Sequence, residues 1–172
     1  MAKLIEIELN RTSIDAAIKA LDAFSREARR KTNELQERVT ELVASYAKTG
    51  FNGAVVDDLV SGGPKLAEVT VRIENDNGTS LVIADGKDAV FVEFGAGVYH
   101  NGPVGSSPHP NGAGLRLTIG SYGPNGARRT WGFYNEDEEL VLTRGTPASM
   151  PLYTALQIVC ADVVQIAKEV FA

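Results

Sequence analysis

The sequence predicts an α+β fold, a curved antiparallel sheet with a long N-terminal helix and a C-terminal helix packed on one face. Three observations predict it. Apolar residues recur at helical steps near both ends of the chain. Between them, short runs such as Val69-Thr-Val-Arg-Ile73 alternate apolar with polar and are separated by turn residues. At 172 residues the chain is long enough for one core and short for two, so residues 1–172 are expected as a single domain.

Leu4 to Leu9 alternate in the period of a half-buried strand, and Thr12 then offers an N-cap with Asp15 in the first turn. From there Ile14, Ile18, Leu21, Phe24, Ala28, Leu35, Val39, Leu42 and Tyr46 recur at steps of three, four or seven, which makes an amphipathic helix. Unbroken from Thr12 to Tyr46 it would run about 50 Å, against roughly 40 Å for a compact domain of this size. Some of it must bend, break or project, which leaves one helix or two; the candidate break is near Thr32 and Asn33, where Asn33 and Gln36 imitate a capping box. Without a break, the overhang needs a partner to cover Leu35 or Leu21.

Phe51 to Lys65 carries Gly53, Gly62, Gly63 and Pro64 and reads as a loop, with a short apolar turn at Val55 to Val60. Val69 to Ile73 and Leu81 to Ala84 form a hairpin across Asn75-Asp-Asn-Gly78. The turn Asp85-Gly-Lys-Asp88 leads to Ala89 to Phe94, whose near-continuous apolar character predicts a strand covered on both faces. Glycine and proline then punctuate an irregular insertion at about 95–128, a length that is functional or disordered. A last hairpin pairs Arg129 to Tyr134 with Glu139 to Thr143. The final helix presents Leu152, Leu156, Val159, Val163, Ile166 and Val170 on one face, with Ser149 as N-cap and Pro151 in the first turn.

The apolar content of 44% and charged content of 23% are those of an ordinary globular protein. A formal net charge of −5 argues against a general nucleic-acid binder, because such affinity comes largely from neutralising phosphates. The single cysteine, Cys160, lies among Val159, Val163 and Ile166 and reads as a small buried apolar residue. No signal peptide is read at the N-terminus, and no apolar run reaches the ~18 residues of a membrane span. Synthesis and folding in a cytoplasm are expected.

No catalytic or metal site is expected. The two histidines, His100 and His109, both fall in the irregular segment, lack helical ligand spacing and read as solvated loop residues. Ser106 and Ser107 precede His109 without the rigid turn that a nucleophile needs. Glu136, Asp137, Glu138 and Glu139 read as a solvated acidic tip, and Gly95-Ala-Gly97 has neither a dinucleotide fingerprint nor a phosphate-loop lysine after it. No cofactor is implied. Glu93 stands out inside its apolar run: it either faces water at a sheet edge or finds a cation or backbone amides. Arg26, Arg29, Arg30 and Lys31 read as a solvated helix face or as a patch facing DNA or an acidic neighbour. Trp131, Phe133 and Tyr134 alternate along their strand and read as packing.

The order of a long N-terminal helix, a hairpin, Val92-Glu93-Phe94-Gly95, a glycine-rich excursion, Trp131-Gly-Phe-Tyr134 and Gly145-Thr146-Pro147-Ala148 before a C-terminal helix resembles the tail-component family of long-tailed bacteriophages. The likeness spans most of the chain, with departures at Ala96, where the family commonly has threonine, and at Met150-Pro151-Leu152, where an aromatic often follows the proline. The resemblance implies a structural virion protein, not an enzyme, made in the bacterial host cytoplasm and placed in the neck or tail. It would join head to tail or complete the tail as a homo-oligomeric ring, perhaps a hexamer, against neighbouring neck and tail proteins. DNA would pass through the lumen without specific binding, and no membrane is involved. Subunit or partner contacts are expected at Glu93, Phe94, Gly95, Gly97, Tyr99 and Trp131, with the segment Gly95 to Arg128 docking. The alternatives are a tail terminator, a small nucleic-acid-binding module acting through Arg26 to Lys31, and a small hydrolase or binding module using His100, His109 and Glu93.

Overall fold

A computed structural model of the chain describes residues 8–58, 63–100, 102–120, 124–134 and 137–172. It has the α+β class expected: helix α1 (Arg11–Asn52), strands β1 (Val55–Asp58), β2 (Gly63–Leu66), β3 (Thr70–Asp76) and β4 (Thr79–Asp85), helix α2 (Ala89–Phe94), strands β5 (Trp131–Tyr134) and β6 (Leu140–Thr143), and helix α3 (Pro151–Phe171). In place of one curved sheet, the described strands pair as three two-stranded antiparallel sheets, β1 with β2, β3 with β4 and β5 with β6. The predicted first strand, Leu4 to Leu9, falls largely outside the described residues.

The chain separates into two compact units, Met1–Val39 with Asp162–Ala172, and Thr40–Ala161. In the first, the cap of α1 is Asn10, two residues before the expected Thr12: its Oδ1 accepts from the Ser13 amide at 2.8 Å and its carbonyl accepts from Ile14. Of the two alternatives, one helix or two, the structure has one: there is no break at Thr32 and Asn33, and α1 runs for 42 residues. Thr32 turns its hydroxyl back to the Ala28 carbonyl instead of capping a new helix. Arg30 meanwhile bridges Glu27 at 2.7 Å and Glu34 at 3.0 Å, pairing one turn before and one turn after itself. This guanidinium holds the Glu27 carboxyl below the usual range, and Glu27 raises the pKa of Arg30. The last turns of α3 are tied to this part of α1 by Arg38 to Glu169 at 2.7 Å and by Lys31 to the Ala172 carbonyl at 3.0 Å.

The second unit is built on a core of Phe51, Ala54, Val56 and Val92, with Val69, Val71, Ala84 and Leu152 packed against it. Within Phe51 to Lys65, predicted as a loop, the β-branched Val55 and Val56 pair with Leu66 and Lys65 in a first hairpin, and residues 59–62, on which the predicted turn at Val55 to Val60 partly falls, lie outside the described residues. The second hairpin turns on Asn77 and Gly78, both at positive φ, the geometry that closes a two-residue antiparallel turn.

Ala89 to Phe94, predicted as a strand, is a short helix. A brief apolar run does not distinguish a buried strand from a buried helix, and the buried residues here, Ala89, Val92 and Glu93, follow helical spacing while Val90 and Phe91 are exposed. The third hairpin forms as expected, with Trp131 opposite Thr143 and Tyr134 opposite Leu140. Along α3 the buried residues are Pro151, Ala155, Val159, Ile166 and Val170; Leu156 and Val163 face solvent, and so does Cys160, contrary to the apolar-core reading. The stripe is narrower than the composition implied, and Cys160 sits one residue outside it. Among the described residues no helix is long and apolar enough to cross a membrane.

Val92 is fully buried and Leu156 about half exposed. Val92→Ala should therefore lower unfolding free energy by about 2 kcal/mol, while Leu156→Ala should change it by less than about 0.5 kcal/mol. Urea denaturation of the two variants against the parent checks this.

Candidate functional site

The two segments that carry the family resemblance meet in the second unit and form one joint. It begins at the start of α3. The Met150 carbonyl accepts the first helical bond, from Thr154 at 2.9 Å, so Met150 is the cap residue and has no side-chain oxygen to offer. Pro151 follows with no N–H, which leaves the amides of Leu152 and Tyr153 without helical acceptors. Glu93 takes both. Its Oε2 accepts from Leu152 at 2.8 Å and its Oε1 from Tyr153 at 2.9 Å. A carboxylate is the group the positive end of a helix dipole favours, and Glu93 is only 4% exposed. The expected cap, Ser149, instead donates its amide to the Val92 carbonyl at 2.8 Å.

His109 completes the arrangement. Its Nδ1 accepts from the Asn111 amide at 2.9 Å, so the proton of the neutral ring sits on Nε2, which donates to Glu93 Oε1 at 3.2 Å. The ring lies between Phe94, with centroids 4.5 Å apart, and Tyr153, 5.2 Å away edge-on. His109 is buried, which corrects its reading as a solvated loop histidine. Ser107, two residues before it, accepts from the His109 amide and donates its hydroxyl to the Phe94 carbonyl. With both ring nitrogens committed, His109 has none left to accept a proton from Ser107, so Ser107, His109 and Glu93 do not form a nucleophile–base relay.

Beyond α2 the backbone continues the joint. Ala96 and Thr146 exchange both amide–carbonyl bonds, at 2.7 and 3.0 Å, while Gly97 donates to Leu117 and accepts from Ile119 on its other side. Gly97 and Gly145 lie face to face at φ of 75° and 89°. A Cβ on Gly145 would sit 2.2 Å from the Ala96 carbonyl oxygen, and one on Gly97 would sit 2.6 Å from the Arg144 carbonyl oxygen. Both positions therefore require glycine on two grounds, close approach and conformation.

The sequence-predicted contact residues divide accordingly. Glu93, Gly95 and Gly97 are buried and engaged within the chain; Phe94 and Trp131 are partly buried, and Tyr99 is half exposed. Trp131 stands at the wall of a cleft of about 650 Å³ together with Phe91, Val141 and Arg116, and its buried Nε1 has no hydrogen-bond partner among the described residues. His100 lines a separate hollow of about 230 Å³ with Tyr99 and Thr118. Of the basic run, Arg30 is held by two glutamates and Lys31 by the Ala172 carbonyl, while Arg26 and Arg29 are exposed. Among the described residues no three His, Cys, Asp or Glu side chains gather as a metal-ligand group. Sequence reasoning missed the partnership of Glu93 with Leu152, Tyr153 and His109. The signal was present in two halves: a carboxylate in an apolar run needing donors, and a helix start at Met150-Pro151 needing an acceptor.

Comparison of the chain with family models, curated proteins and solved structures yields no match.

Glu93→Ala would leave two buried amides and the imidazole without their acceptor and should destabilise the protein by about 3–5 kcal/mol, whereas Glu93→Gln, which keeps one acceptor oxygen, should cost about 1–2 kcal/mol. Denaturant titrations of both variants decide this. Gly145→Ala should prevent the Ala96–Thr146 pairing altogether, to be seen as loss of cooperative thermal unfolding.

Proposed function

We propose that this chain is a structural virion protein of a phage neck or tail, acting by mating its surfaces with copies of itself and with adjoining virion components as a ring that joins head to tail or completes the tail. The observation that carries the reading is the joint itself. Val92-Glu93-Phe94-Gly95 and Gly145-Thr146-Pro147-Ala148, the motifs of the resemblance, are held together: Gly95 lies against Ala148, the adjoining Ala96 bonds Thr146, the adjoining Ser149 bonds Val92, and their one buried carboxylate is consumed in capping a helix. That is the work of a scaffold. It also counts against the hydrolase alternative, because the Glu93 and His109 groups it would use have no bonding capacity turned toward a substrate.

Exposed apolar side chains supply surface for assembly. Phe133, Tyr134, Leu140 and Leu142 on the third hairpin, with Tyr99 and Val104 in the irregular segment, are each 43% exposed or more, a concentration that marks interaction surface in soluble proteins. Heterologous contacts between unlike patches close into rings when the rotation permits. The basic run supports nucleic-acid binding poorly, since Arg30 and Lys31 are already bonded within the chain and the net charge is −5.

Deleting the gene from an inducible phage genome that encodes this chain tests the reading. Filled heads accumulating beside separate, normal-length tails are the expected result, with antibody to this chain labelling the neck of parent particles in electron micrographs. Tails of uncontrolled length would favour a terminator, and intact infectious particles would refute a virion role.

A further inference from the structure

The two faces of the third hairpin have different surroundings. Side chains alternate along a strand and directly opposite residues share a face, so Trp131, Phe133, Val141 and Thr143 stand on one side, where they line the cleft of about 650 Å³ together with Phe91. Tyr134, Leu140 and Leu142 stand on the other side, and there Leu140 and Leu142 close over Gly132, at which a Cβ would lie 3.0 Å from each. Tyr134 and Leu140 end the hairpin at 72% and 55% exposure, next to the exposed Asp137, Glu138 and Glu139.

The cleft has the opposite charge character. Lys65, Lys87 and Arg116 line it. Its two acids are turned to backbone: Asp88 accepts from the Glu68 amide at 2.9 Å and Asp57 from the Arg144 amide at 3.4 Å. Lys87 pairs with Glu68 at 2.9 Å, but both side chains are more than half exposed, and a surface pair of this kind contributes little and exchanges readily.

We propose that the cleft receives the acidic tip of the third hairpin from a second copy of the chain, with Tyr134 and Leu140 entering against Phe91 and Phe133 and the acids of the tip meeting Lys87 and Arg116. This rests on the assembly reading above and names its surfaces. The volume lies within the roughly 300–1,000 Å³ of sites that bury a ligand-sized group, room for two side chains. The tip does not fill the cleft of its own chain, because Tyr134 and Leu140 belong to the face turned away from it. The contact therefore joins unlike patches, one cleft and one tip per copy, and its repetition gives a closed ring or an open chain.

Charge exchange tests the contact, with far-UV circular dichroism checking that each variant is folded. Sedimentation velocity should show the parent associating as its concentration rises, and less so as salt is added. K87E/R116E, which reverses the cleft, and D137K/E138K, which reverses the tip, should each weaken association about tenfold or more, and one chain carrying all four changes should regain it. Y134S leaves every charge in place and should weaken association about tenfold by removing the aromatic anchor. The single tryptophan, Trp131, stands in the cleft wall, so its fluorescence emission should shift as the parent associates and stay fixed in D137K/E138K. Reversals that associate as the parent does would overturn the proposal, as would a four-fold variant no better than either reversal, or an emission that stays fixed while the parent associates. A parent that remains monomeric at every concentration would overturn it too. Each of these results concerns this contact alone, whereas intact infectious particles after gene deletion would refute the virion role and leave self-association in solution as measured.

Discussion

A single buried carboxylate fixes how the second unit is put together. The first turn of any helix presents amides that its own backbone does not satisfy, and α3 begins with a methionine and a proline that cannot supply the acceptor. Glu93 does so from α2, more than fifty residues earlier in the chain, with both oxygens engaged. Because those bonds require α2 to lie against the start of α3, they also set the adjoining backbone: Ser149 and Met150 bond the Val92 carbonyl, Ala96 pairs with Thr146, and Gly95 comes up against Ala148. Core packing and polar satisfaction agree here, since Val92, beside Glu93, is buried with Phe51 and Leu152.

The irregular stretch after Gly97 takes its order from the same place. It holds little regular structure, yet His109, Thr118 and Ser107 tie it down by bonds to Glu93, to the Ser106 carbonyl and to the Phe94 carbonyl. Gly97 lies between two backbone neighbours, Leu117 and Ile119 on one side and Arg144 with Gly145 on the other. A third attachment links hairpins: Thr143 donates its hydroxyl to the Asp57 carbonyl at 3.1 Å, joining β6 to β1. Long loops free of secondary structure remain ordered when their polar groups find partners in this way. Such a frame holds the exposed aromatic edges of the third hairpin on a fixed base, which suits the proposed role in assembly.

Much of this was legible in the sequence, and where it was not the reason is physical. Helices and hairpins with clear periodicity were readable, among them α1, α3 and the Asn77-Gly78 hairpin. Whether α1 breaks was not legible because an Asn–Gln pair three residues apart looks like a cap, whereas the Glu27–Arg30–Glu34 bridge across that position favours continuity. The nature of α2 was hidden because a six-residue run, apolar except for Glu93, carries no resolvable period. Val55 and Val56 were lost to the surrounding glycines, although their β-branching favoured a strand. Glu93 was recognised as needing donors, but which donors depended on the long-range approach of α3. His109 looked solvated because glycine and proline surround it, and only the fold shows that its ring is enclosed by Phe94 and Tyr153.

The central claim, that the Glu93 carboxylate caps α3 from outside the helix, is most directly tested by amide hydrogen exchange resolved at Leu152 and Tyr153. Second- and third-position amides of a helix without a cap exchange rapidly. The account predicts that these two exchange as slowly as amides in the middle of α3. Exchange at the rate of an open chain, with the middle of the helix still protected, would contradict it.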